Sequence, residues 1–335
     1  MQEFQIRSWN RFYTRNLRIT ADLIGQSHEF FFSGASITIR LPGKEQVDRG
    51  PGFDEIASRG TYRLIDEVEV PQNYHIYKAD VEVNLGAVAL LDPAVLTAQA
   101  NAYELVDGET QEKLNQDCEV HETIAAQAFE YWLSVLRWVS DDYSIGRHAV
   151  IANHSGFSTY LHEVQSGGKV WIQSVMINVP GARSITTAHW LKAAARLTNG
   201  EKAFPHITIL HEAEEYYERG EYRRCLIDMA VATELYVRAV CMSRLPEKLE
   251  PYFYEKIDRI NISELMEKVF PKYLDREETK AFLSIKAELV AMFKARNQVM
   301  HMADYGVANA PTCKMYLRSA KVLIKLSRIQ VPSGT

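Results

Sequence analysis

The chain has 335 residues, 47% of them apolar and 24% charged, which fits two globular domains whose cores need no disulfide or metal staple. A formal net charge of −5 argues against a general nucleic-acid-coating role, and no apolar run reaches the length needed to span a bilayer. The opening residues, Met1 to Arg7, lack the charged-then-apolar layout of a secretory signal. The cysteines Cys118, Cys225, Cys241 and Cys313 form no Cys-x-x-Cys pair and have no His at zinc-ligand spacing. They read as thiols of a cytoplasmic protein, with no metal or cofactor expected.

The first part of the chain reads as strands. Leu17, Ile19, Ala21 and Leu23 alternate with Arg18, Thr20 and Asp22, and His75 to Leu85 alternates in the same way. Tyr62, Leu64, Val68 and Val70 suggest another strand, and Leu41 to Gly60, rich in Gly, Pro and charge, an exposed loop. From Asp92-Pro93 the chain turns Ala- and Leu-rich. Val120, Ile124, Ala128, Trp132, Val135, Leu136 and Val139 then repeat at three and four, predicting an amphipathic helix from about Glu109 to Ser140. A hairpin follows, Phe157 to Val164 and Val170 to Ile177, and then a helix from Ser184 to Leu197 closed by Asn199-Gly200.

Beyond Pro205 every segment reads as helix: His206 to Arg219, Tyr222 to Arg244, Ile262 to Phe270, Glu277 to about Met302, and Pro311 to Arg328. The expectation is an α+β domain over residues 1–200 and an all-α bundle over 201–335. Charge divides at the same place. Of the 38 basic and 43 acidic residues, 21 and 19 lie from Glu201 onward, leaving 17 and 24 before it. On that balance, affinity for a polyanion belongs to the second domain.

The richest chemistry lies in Arg296-Asn297-Gln298-Val299-Met300-His301, near the end of the long predicted helix. A guanidinium can neutralise phosphate oxygens with a forked donor set, and an imidazole can take up or give back a proton near neutral pH. Phe282, Ile285, Leu289, Met292, Phe293 and Met300 form the expected buried stripe upstream. Asn297 and His301, four apart, share one helix face. Arg-x4–6-His spacing also fits Arg183 to His189 and Arg147 to His154, so spacing alone does not single out Arg296; its helical context does.

Three features together resemble the HEPN superfamily of small helical domains found in toxin–antitoxin toxins, abortive-infection proteins and RNA-cleaving CRISPR effectors. They are Arg296-Asn297-x-x-x-His301 late in a long helix, the helix–Gly–helix passage Tyr216 to Tyr222, and the Ala-rich run Ile227 to Leu235 with Glu234 inside it. The resemblance covers Ala203 to Arg328. It implies a metal-independent endoribonuclease acting on single-stranded RNA, in toxin-like or phage-defence biology, with two copies of the motif facing one cleft of a homodimer. On that basis Arg296 would bind the scissile phosphate, His301 act as general acid or base, and Asn297 orient His301 or donate to phosphate. Residues 1–200 would sense a trigger or dock a protein partner or antitoxin.

Several readings stay open. Glu234 can hold Arg296 across the bundle or pair locally with Arg238 at i,i+4. Lys314, Arg318, Lys321, Lys325 and Arg328 fall on one stripe of the last helix, either to carry an RNA backbone or as a solvated face. The helical domain can also be a non-catalytic interaction scaffold, or a nucleotide-sensing module of a defence complex. Gly167-Gly168-Lys169 lacks the rest of a phosphate loop, and His121-Glu122 lacks the second His of a zinc-protease helix.

Overall fold

The computed structural model describes residues 2–43, 58–65, 68–91, 106, 108–146, 157–162, 169–175, 184–243, 257, 259–301 and 306–326. The chain divides into two compact units, Met1–Lys202 and Ala203–Thr335. The first is α+β and the second helical.

The first unit is built on an antiparallel sheet of β1 (Gln2–Thr20), β2 (Ser27–Phe32), β3 (Ala35–Arg40), β4 (Ser58–Ile65) and β5 (Val68–Leu91). The order is β1-β5-β3-β2, with β4 also paired to β5. The long strand β5 is the spine. It pairs with β1 from Gln2↔Leu91 to Thr20↔Asn73, and with β3 from Ser36↔Asn84 to Arg40↔Asp80. β6 (Phe157–His162) and β7 (Lys169–Val175) form the expected hairpin.

The sheet corrects the sequence reading in three places. β1 begins well before Leu17, and Leu23 falls in a 3₁₀ turn, Ala21–Leu23, rather than in the strand. The β2–β3 hairpin escapes the sequence reading: β2 has no clean alternation, because Phe30-Phe31-Phe32 puts aromatic rings on both faces, although Ala35, Ile37 and Ile39 of β3 do alternate with polar residues. Its two-residue turn is Ser33-Gly34, with φ of 48° and 81°, the doubly positive geometry that matches strand twist. The single strand expected from Tyr62 to Val70 is instead the end of β4 and the start of β5, paired to each other. Most of the expected Leu41 to Gly60 loop, the Ala- and Leu-rich stretch after Asp92, and Arg147, His154 and Arg183 lie outside the described residues.

One sheet face is buried under α1 (Gly108–Ser140) and α2 (Thr187–Thr198). Leu17, Ile19, Ile37, Ile39, Val81 and Val83 meet Ala128, Trp132, Leu136 and Trp190 in one core. A half-buried antiparallel sheet requires this division into apolar and polar faces. His28 sits within that core. Its ring stacks on Trp190 with centroids 3.6 Å apart, and its Nδ1 accepts the indole N–H of Trp132 at 2.9 Å. Its Nε2 donates to the Trp190 carbonyl at 3.1 Å. Burial pushes its pKa down to about 4. α2 starts three residues later than its sequence pattern suggests. Ile185 is used as a bridge to Ile19, exchanging backbone hydrogen bonds with Arg18 and Thr20, and Thr186 caps the helix.

The second unit comprises α3 (Pro205–Glu218), α4 (Tyr222–Ser243), a short helical stretch from Ile262 to Tyr273, α5 (Arg276–His301) and α6 (Ala310–Leu326). α4 packs against α3, α5 and α6, and Leu226, Met229, Val237, Phe282, Leu289, Met292 and Leu323 close the core. Local signals set the boundaries. Gly220 ends α3 with φ of 75°. Asp275 and Glu278 form a reciprocal cap at the start of α5, with N–H···O distances of 2.8 and 2.9 Å. The Asn309 side chain accepts the Thr312 N–H at 3.1 Å where α6 begins.

Candidate RNA site on the helical unit

α5 is regular up to His301, and this decides how the motif is displayed. Phe282, Ile285, Leu289, Met292, Phe293, Ala295 and Val299 face the core. Met300, expected in that stripe, is 48% exposed. The polar residues occupy the outer arc: Arg296 is half-buried, and Asn297 and His301 are exposed. At about 100° per residue, Asn297 lies some 100° round from Arg296, and His301 about 140° round and about 7.5 Å further along. One Nη of Arg296 donates to the Asn297 side-chain oxygen at 3.1 Å. Among the described residues Arg296 pairs with no carboxylate. The structure therefore joins Arg296 to Asn297 and leaves His301 at the far end of the arc. The orienting contact from Asn297 to His301 is not made: the Asn297 side chain instead accepts from the Arg296 guanidinium.

Glu234 does not serve Arg296. Its hydrogen bonds come from Arg238, at 3.0 and 2.7 Å, the local pair that i,i+4 spacing favours. Arg238 also bonds to the carbonyls of Ile257 and Ile260. The Glu234–Arg238 pair thus ties α4 to the chain ahead of Ile262.

The basic stripe of α6 is also divided. Lys314, Arg318 and Lys325 are exposed, but Lys321 forms an ion pair with Glu214 of α3, a carboxylate only 7% exposed. A buried carboxylate needs a cation more than solvent does, so Lys321 belongs to the packing of α6 on α3 and not to an RNA track. Arg328 lies outside the described residues. On the opposite side Tyr316, Leu317, Ala320 and Leu323 are buried, as the helical period requires, and Ser319 donates to Glu288 of α5.

One cationic feature escapes the sequence reading. An open groove of about 600 Å³ lies beside the α3–α4 turn, lined by residues including Tyr222, Arg223, Arg224, Ile227 and Ala308. The Arg224 guanidinium lies 4.8 Å over the Tyr216 ring and 3.3 Å from Glu221. The signal for it in the sequence is the Arg223-Arg224 pair directly after Gly220. Among the described residues, no group of three or more His, Cys, Asp or Glu side chains is placed to hold a metal ion, and no helix is long and apolar enough to cross a membrane. No protein family, curated protein or solved structure matches this chain.

Proposed function

We propose that the helical unit is a HEPN-type endoribonuclease that cuts single-stranded RNA without a metal, at a site shared between two copies of the chain. The observation that supports this is the Arg296–Asn297–His301 arc, turned outward at the end of a core helix with its guanidinium uncommitted to any described carboxylate. The chemistry needed is attack of a ribose 2′-oxygen on the adjacent phosphorus, expelling the 5′-oxygen and leaving a 2′,3′-cyclic phosphate. Arg296 suits the charge that builds on the phosphoryl oxygens, and His301 suits the proton taken from the nucleophile or given to the leaving oxygen. About 140° of helix separates the two groups, so a guanidinium from one copy and an imidazole from the other meet more readily over one bond than two groups from the same helix.

The test follows from that geometry. Wild-type protein with EDTA is expected to cut single-stranded RNA, and Arg296→Ala and His301→Ala each to abolish cutting. Mixing the two inactive variants is expected to restore about one quarter of wild-type activity, because half of the randomly formed dimers rebuild one of their two sites. Absence of cutting by the wild type, or cutting that survives both variants, rejects the assignment. A toxin-like or phage-defence role follows if expression of the wild type, and not of His301→Ala, arrests growth of its host. The same 140° separation also favours a second reading, a non-catalytic interaction module; it forecasts a stable dimer, no cleavage, and no phenotype for either variant.

A further inference from the structure

The sheet of the first unit has a second face, turned away from α1, and its edge strand carries an unusual series of side chains. Phe12 of β1 stacks on Phe129 of α1, with centroids 4.7 Å apart, so the odd-numbered neighbours on either side point away from the core. Those neighbours are Arg7, Trp9, Arg11 and Tyr13, and Arg15 continues the exposed run. Trp9 is 57% exposed and Tyr13 72%, which is unusual for large aromatic side chains in an otherwise well-packed unit. The acidic balance of residues before Glu201 does not extend here: residues 1–20 contain four arginines and one glutamate.

We propose that this face of β1 is a platform for single-stranded RNA. The choice of RNA over DNA rests on the ribonuclease reading; the choice of a single-stranded nucleic acid rests on the strand itself. Aromatic rings that stack bases, interleaved with cations that meet phosphates, are the two components of sequence-tolerant single-strand binding. Side chains two apart on a strand stand about 6.8 Å from each other, so rings and guanidinia alternate along β1 in steps that an extended nucleotide chain can follow. The cations are also held in place. Arg11 bonds bidentately to Asp80 at 2.7 and 3.1 Å and lies 4.8 Å over the Trp9 ring. Arg7 pairs with Glu82 at 2.8 Å, and Lys78 lies 5.4 Å from the Tyr13 ring. These carboxylates offset part of the positive charge, so stacking supplies more of the affinity than phosphate contacts do. Charged side chains along an edge also discourage pairing with another strand, which favours a polyanion over a protein strand as the occupant.

The test requires no cleavage. In full-length His301→Ala protein, binding of a fluorescein-labelled oligouridine of about twelve nucleotides is followed by anisotropy. Adding Trp9→Ala and Tyr13→Ala is expected to raise Kd about tenfold or more, with the far-UV circular dichroism unchanged because both positions are exposed. Arg7→Gln, Arg11→Gln and Arg15→Gln together are expected to flatten the salt dependence. Equal affinity with and without the two rings, or no binding by the His301→Ala protein, overturns the proposal. So does a change in oligomeric state without a change in RNA affinity, which would mark the face as a contact between protein chains. Loss of cleavage elsewhere in the molecule affects none of these readouts.

Discussion

Acidification is expected to destabilise the first unit through His28, and the size of the effect can be worked out. The imidazole titrates near 6.5 in an unfolded chain and at about 4 when folded, owing to burial between Trp132 and Trp190. The folded pKa is the lower one, so the unfolded chain binds more protons in this range and stability falls as pH falls. The contribution is complete above about pH 6.5 and is lost progressively toward pH 4. Between pH 7 and pH 5 the loss is about 2 kcal/mol, from the ratio of proton binding in the two states. All five tryptophans, Trp9, Trp132, Trp138, Trp171 and Trp190, precede residue 203, so tryptophan fluorescence reports this unit alone. Urea melts followed by that signal are expected to show the loss in wild-type protein. His28→Gln, which does not titrate, is expected to be less stable at pH 7 but to lose about 2 kcal/mol less on moving to pH 5. An equal pH slope in both proteins, or a His28 proton resonance that titrates above pH 6, refutes the reasoning.

Other expectations follow from particular contacts. Lys321→Ala removes the cation from buried Glu214 and is expected to cost about 3 kcal/mol, the low end for a broken buried pair because the lysine is partly exposed; Glu214→Gln with Lys321→Met should recover most of it in urea melts. Gly146 and Gly200 both hold positive φ, 75° and 65°, but a Cβ at Gly146 would meet Leu133 at 2.7 Å while Gly200 faces open space. Gly200→Ala is therefore expected to cost about 1 kcal/mol for the left-handed backbone, and Gly146→Ala about 1–3 kcal/mol more for overpacking. Cys225, Cys241 and Cys313 are buried, and burial pushes the Cys241 thiol up to about 12, so an aromatic disulfide reagent is expected to modify no more than one thiol per native chain and four in urea. Rapid reaction of two or more thiols in the native protein would contradict that burial.

The helical unit is the part most legible from the sequence. Its starts and stops are local: Gly220 after α3, the Asp275–Glu278 cap before α5, and Asn309 with Pro311 at α6 are each set by residues within one turn. The three-and-four period likewise places Phe282, Leu289 and Met292 in the core. The sheet is less legible because pairing partners lie far apart in the chain. Nothing near Arg7 announces Glu82, and nothing near Ile185 announces Ile19. The exposed rings Trp9 and Tyr13 also break the alternation by which a strand is ordinarily recognised.

The candidate sites divide in the same way. Sequence alone determined which groups are present on α5 and that Asn297 and His301 share a face, since helix geometry is fixed by backbone hydrogen bonding. Helix spacing also offered the Glu234–Arg238 pair, and the tertiary structure only excluded the rival reach to Arg296. Only the tertiary structure decided that Lys321 turns to Glu214 instead of to solvent, and that the arginines of β1 share an outer face with two exposed rings. A side chain's local geometry follows from its own few neighbours, but its partner depends on which distant segment folding brings alongside. In a low-dielectric interior a buried carboxylate such as Glu214 takes the nearest cation, whatever surface that cation would otherwise have lined.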